Sequence, residues 1–164
     1  MWSTARPALL VLLLALFGCA PEGPPFAAVA GTLPPMQPGT ARVFFYRWLE
    51  PYETLAPSVA YLNAEPVGVT EPGAVLYRDV PPGQYTISVQ SDEAYPNQFK
   101  TVVLRPGEIA YARIESLQTW SSCGGGGSGE FGGSATGCRT TFVVQIMDPA
   151  LAAAEMRDLR FIRG

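Results

Sequence analysis

VPPGQYTISVQ, residues 80–90, decides how this chain folds. Pro81-Pro82-Gly83 joins two residues of fixed φ to one that tolerates almost any backbone conformation, so the chain turns there. Beyond the turn Tyr85, Ile87 and Val89 alternate with Gln84, Thr86, Ser88 and Gln90. A period of two sends one row of side chains to each face of a strand. The spacing predicts a half-buried β-strand with Tyr85, Ile87 and Val89 facing a core.

The same pattern continues on both sides. ARVFFYRW (41–48) reads as a near-continuous apolar and aromatic strand, followed by the loop LEPYETLAPS. VAYLN and PVGVT flank a turn near Asn63-Ala64-Glu65 and read as a hairpin; GAVLYRDV (73–80) is a fourth strand. NQFKTVVL (97–104), the turn RPGE, IAYARIESLQTW (109–120) and TTFVVQIM (140–147) supply the rest, the last two pairing side by side. Asp148-Pro149 offers a helix N-cap with proline at the first helical position. ALAAAEMRDLRFI then reads as a short helix with Leu151, Ala154 and Leu159 on one side. About eight short strands at regular spacing predict an all-β fold, a β-sandwich of about seven to eight mainly antiparallel strands with a short C-terminal helix. This domain spans residues 40–164.

Composition narrows the function classes. Of 164 residues 48% are hydrophobic and 15% charged, which suits one packed domain, and 17 glycines and 16 prolines suit a fold with many reversals. Net charge is −3 and Lys100 is the sole lysine, so no dense basic stripe exists to neutralise phosphates and no nucleic-acid partner is expected. The chain lacks histidine, the commonest general base and metal ligand. No cofactor, no metal and no catalytic residues are expected. Asp92 and Glu93 are adjacent, but neighbours on a strand point to opposite faces, and SDEAYPN reads as a solvated turn.

LLVLLLALFGCAPEG (9–23) sets the compartment. Arg6 precedes an apolar run too short for the roughly 20 residues that a spanning helix needs, and without the polar face of a buried amphipathic one. A removed signal over residues 1–18 fits it best. Leu16-Phe17-Gly18-Cys19 resembles the lipobox of bacterial lipoproteins, with Phe17 in place of the usual small or aliphatic residue. The resemblance implies a diacylglyceryl group on the Cys19 thiol and cleavage before it. Two or more acyl chains anchor stably where one does not. By resemblance to Gram-negative sorting, Ala20 after the cysteine implies a cell-envelope protein on the periplasmic face of the outer membrane. Residues 19–39, with six prolines and no apolar period, read as a tether that could extend roughly 60 Å.

Cys123 and Cys138 then remain as an even pair in an exported chain and are expected to form a disulfide, worth about 3 kcal/mol for so short a loop. Residues 124–137 between them hold eight glycines in fourteen positions. Gly127 to Gly132 formally matches the dinucleotide fingerprint GxGxxG, but that motif needs a strand turning into a helix, and here the chain runs on into another strand.

ARVFFYR, the YLNAEPVG hairpin, and VPPGQYTISV followed by a strand and PGE resemble small uncharacterised bacterial lipoproteins whose domain is a transthyretin-like (prealbumin-like), carboxypeptidase-regulatory-like β-sandwich. The resemblance covers most of residues 41–113 and implies fold and anchoring, without an activity. The expected role is a non-catalytic, membrane-anchored envelope lipoprotein, either structural or binding an envelope protein; the alternative is an accessory domain that binds saccharide or peptidoglycan of the cell wall by aromatic stacking. Trp48, Tyr52, Tyr95 and Phe131 form the candidate binding surface, since exposed aromatics serve as anchors. Packing at the edge of the sandwich also accounts for Trp48 and Tyr52. Arg42, Arg47 and Arg113 either pair with acids across strands or, if they converge, hold an anion.

Overall fold

In the computed structural model, which describes residues 21–49, 56–91, 94–117 and 141–163, VPPGQYTISVQ yields strand β5 (Gly83–Val89). Ile87 and Val89 are buried. Half-buried Tyr85 packs on the same core, and its hydroxyl donates to the Pro81 carbonyl at 2.7 Å. β5 pairs with β2 (Ser58–Leu62) and β6 (Phe99–Leu104), while β3 (Glu65–Thr70) pairs with β2, giving an antiparallel sheet in the order β3-β2-β5-β6. The β2–β3 turn is two residues long and has positive φ at both Asn63 and Ala64, the hand that matches strand twist. The Asn63 side-chain oxygen accepts from the Thr86 amide at 2.8 Å and ties this turn to β5.

The second sheet contains β1 (Ala41–Tyr46), β4 (Ala74–Val80), β7 (Ile109–Ser116), β8 (Phe142–Ile146) and β9 (Arg160–Phe161), in the order β8-β7-β1-β4-β9. It is mixed. β1 runs antiparallel to β4 but parallel to β7, and β4 runs parallel to β9. A parallel neighbour needs a long crossover, and here the chain passes through the other sheet between β1 and β7. The two-residue β9 was too short to carry a pattern of its own. The chain is thus mostly β in two sheets with a short C-terminal helix, and one apolar core draws on eight strands from both sheets, with Phe45, Leu76, Ile87, Ile114 and Val144 among its most enclosed members.

β1 differs from β5 in having every residue buried. Val43 and Phe45 face the shared core, and Phe44 and Tyr46 face a second apolar cluster on the outer side of the mixed sheet. A strand with no polar row must be covered on both faces. The cover comes from both ends of the described chain. Helix α1 (Phe26–Val29), followed by a 3₁₀ turn at Ala30–Thr32, supplies Phe26; helix α2 (Pro149–Met156) supplies Ala152 and Met156, and Leu159 follows it. Phe26 meets Phe44 edge to face at 5.6 Å, and Phe44 stacks on Tyr111 at 5.5 Å, geometries that add to the area buried.

Two expectations change here. The stretch read as a tether is, from Pro24 to Thr32, a packed element. The Phe26 amide donates to the Leu159 carbonyl at 2.7 Å, the Ala27 amide to Arg157 at 3.1 Å, and the Phe161 amide to Pro24 at 2.8 Å. Prolines cannot donate, but Pro24 and Pro25 use their carbonyls, so a proline-rich segment can still dock. The second change is the buried face of α2. Asp148 caps the helix as expected, accepting from the Ala150 and Leu151 amides. Yet Ala152 and Met156 are buried, while Leu151 and Ala154 are exposed. Leu159 lies beyond the end of α2, so it does not share a helical face with Leu151 and Ala154.

Candidate functional site

The two ends of the body differ. At one end lie tight turns: Asn63-Ala64, Pro81-Pro82 and the Arg105–Glu108 turn, where Glu108 accepts from the Arg105 amide at 2.8 Å. At the other end the connections between β1 and β2, between β5 and β6 and between β7 and β8 all depart. Side chains knit that end together. Buried Arg47 donates to the carbonyls of Ala56 (2.8 Å) and Thr70 (3.2 Å) and lies over the Phe142 ring at 4.7 Å. Ser58 donates to the Gln90 carbonyl at 2.5 Å, and the Phe142 amide donates to the Ser91 hydroxyl at 2.9 Å. Loops displayed by a rigid scaffold are where binding residues concentrate.

The candidate surface residues divide accordingly. Tyr95, in the β5–β6 connection, is 53% exposed. Trp48, just past β1, is half-buried against the outer cluster, with the Arg113 guanidinium over its ring at 4.7 Å. Both leave the same end of the body, from different sheets. Its neighbour Leu49 is 53% exposed, a residue that sequence reasoning passed over. Tyr52 and Phe131, the expected acylation site Cys19, the expected disulfide pair Cys123 and Cys138, and Asp92 and Glu93 lie outside the described residues.

The densest polar constellation sits beside Trp48 on the outer face of the mixed sheet. Alternation along β7 turns Tyr111, Arg113 and Glu115 outward and Ala110, Ala112 and Ile114 inward. Arg113 donates to Glu155 of α2 at 3.0 Å and to Gln145 of β8 at 2.9 Å, and pairs with Glu115 at 2.5 Å. Gln145 returns a bond to Glu115 at 2.7 Å, and the Tyr46 hydroxyl donates to Glu155 at 2.5 Å. Burial, and then the bond to Glu155, push the Tyr46 phenol far above the ordinary tyrosine range. Tyr46 is therefore a fixed neutral donor and does not exchange protons near neutral pH. Each carboxylate already accepts from two donors, so the cluster clamps α2 onto the sheet.

The three arginines do not converge. Arg42 forms a bidentate pair with Asp79, its cross-strand partner, through bonds of 2.6 and 2.8 Å, and lies over the Tyr77 ring at 4.1 Å. Arg42 and Asp79 sit at the tight-turn end, Arg47 lies on the inner face, and Arg113 on the outer face. Among the described residues no three acidic, cysteine or histidine side chains are grouped to hold a metal ion. Two open clefts flank the N-terminal segment. One, of about 490 Å³, is lined by Pro21, Trp48, Leu49, Gly73 and 158–160; the other, of about 550 Å³, lies between Val29–Pro34 and Tyr77, Arg78 and Phe161. No protein-family model matches the chain, and no curated protein or solved structure is significantly similar to it.

Proposed function

We propose that the chain is an envelope lipoprotein, acylated at Cys19, whose transthyretin-like sandwich is a non-catalytic body that binds an envelope protein through its long-loop end. The observation that carries this reading is the asymmetry of the two ends. Three short turns close one end, while the strand ends that lead to Trp48, to Tyr95 and into the glycine-rich segment share the other with a single short turn, between β3 and β4. The pairing of an antiparallel β3-β2-β5-β6 sheet with a mixed sheet in which β1 lies between β4 and β7 supports the transthyretin-like assignment. The two donors that hold each carboxylate of the Arg113 cluster support a structural use of Glu115 and Glu155.

A photo-crosslinking residue placed at Tyr95 in cells tests the contact surface, with Arg105 at the opposite end as the control position. A specific adduct is expected from position 95. Adducts confined to position 105, or absent from both, refute this surface. Intact mass of the protein extracted from membranes tests the anchor. Acylation adds a diacylglyceryl group to a chain beginning at Cys19; an intact Met1 or a free Cys19 thiol refutes it.

A further inference from the structure

We infer that the body rests directly on the bilayer, with the corner formed by Trp48, Leu49 and Gly73 against the lipid, which leaves Tyr95, in a connection of the other sheet, to meet the protein partner. The inference rests on acylation of Cys19 and goes beyond it, because acylation alone is compatible with a body held far from the membrane. The docked N-terminal segment removes that freedom. Pro21 lines the cleft with Trp48, Leu49 and Gly73, and the nearest Pro21 side-chain carbon lies 3.7 Å from where a Cβ on Gly73 would stand. From Pro24 onward the backbone is bonded to β9 and its flanks. Only two residue spacings separate Pro21 from Cys19. At about 3.3–3.6 Å each, the acylated residue stays within about 7 Å of this corner, against roughly 60 Å for a fully extended tether.

The side chains at the corner suit a lipid surface. Leu49 is 53% exposed beside the anchor's exit. The charges lining the cleft, Asp158 and Arg160, offset each other. Tryptophan beside them has the amphipathic ring favoured at a membrane–water interface.

The test uses the processed lipoprotein in phosphatidylcholine vesicles whose acyl chains carry bromine near the headgroup. Trp120→Phe leaves Trp48 as the sole tryptophan of the mature chain, because Trp2 belongs to the signal. Trp48 emission is expected to fall at least about twofold on brominated lipid and to recover when about twelve Gly/Ser residues are inserted between Ala20 and Pro21. Acylated, vesicle-bound protein whose Trp48 is unquenched overturns the inference and leaves the anchor intact. Protein that lacks the acyl mass fails the anchor reading, and the inference falls with it. Should Trp120→Phe not fold, hydrogen exchange on the wild-type lipoprotein decides the question. Amides of 47–49, Gly73 and Ala74 should slow several-fold on vesicles relative to the Cys19→Ser chain in solution, and those of Gly83, Arg105, Gly107 and Glu108 should not. Slowing at the tight turns alone overturns it.

Discussion

Replacing Phe26 by alanine separates a packed N-terminal segment from a free one. Phe26 is 7% exposed and sits edge to face on Phe44 at 5.6 Å, within the cluster formed with Tyr46, Val75, Ala152, Met156 and Leu159. Truncating a buried phenylalanine costs about 3–5 kcal/mol through lost transfer energy and the cavity left behind. The lower figure applies, because the segment lies at the rim of the molecule and its two backbone bonds, from Phe26 to Leu159 and from Ala27 to Arg157, survive the change. For a chain of this size about 1 kcal/mol moves the melting temperature by 2–4 °C, so a loss near 3 kcal/mol lowers it by about 10 °C. Thermal melts of the purified protein by circular dichroism read this directly. Phe99→Ala is the control, since Phe99 is 63% exposed and a surface change of that kind stays within about 0.5 kcal/mol. A free tether predicts the same null result for both variants. A shift of under about 2 °C for Phe26→Ala refutes the packed segment.

Gly23→Ala attacks the same dock through the backbone: a Cβ there would lie 2.2 Å from the Phe161 carbonyl oxygen, so the segment must lift, and protease cleavage near residues 21–33 should rise together with a melting-temperature loss like that of Phe26→Ala. Glu155→Gln leaves Arg113 facing a neutral amide and removes the strongest acceptor from the Tyr46 hydroxyl; a loss of about 1–3 kcal/mol is expected in urea unfolding, against about 1 kcal/mol for Tyr46→Phe, which deletes one hydrogen bond. Burial raises the phenols of Tyr46 and Tyr111 above the ordinary value of 10.0. Below that value both states hold the proton and stability is unaffected, whereas above it the unfolded chain ionises first, so stability falls as pH climbs, by up to about 1.4 kcal/mol per unit for each group. Urea midpoints from pH 8 to 11 should therefore decline above about pH 10, and the double variant Tyr46→Phe, Tyr111→Phe should flatten the decline.

β5 was legible because one of its faces is wet, so its polar row survives in the sequence as Gln84, Thr86 and Ser88. β1 was legible as a strand but not as a strand buried on both faces, although ARVFFY already says so: only Arg42 breaks the apolar run, and Asp79 neutralises it. That run was the available signal that a second cover had to exist, and Phe26 within an otherwise small and proline-rich segment was the candidate to provide it. Trp48 illustrates the limit at the site. Its burial depends on Arg113, brought alongside by the parallel pairing of β1 with β7, in which Tyr46 stands opposite Arg113. No local pattern encodes a partner 65 residues away across a crossover. The same holds for Tyr46, Arg113 and Glu155, which meet only once α2 has docked. Tyr95 was easier, since a loop rich in turn formers needs no partner to be exposed.

The unequal faces of the two sheets connect fold to placement. The antiparallel sheet carries Gln84, Thr86, Ser88 and Thr101 outward, with Val69, Phe99 and Val103 exposed among them, and such a face can meet water. The mixed sheet cannot, because Phe44, Tyr77, Tyr111 and Phe161 form a continuous aromatic row on its outside. Covering that row takes Phe26 from one end of the chain and Met156 and Leu159 from the other, and it brings the two ends together where Pro25 bridges Arg160. Cleavage before Cys19 would leave the cover whole, whereas a cut beyond Phe26 would strip its aromatic contact and bare the row. If Cys19 is acylated as proposed, the segment that closes the fold is also the one that would fix the anchor point. A short leash would then follow from the need to bury Phe44, and moving the anchor outward would require inserting residues ahead of Pro21.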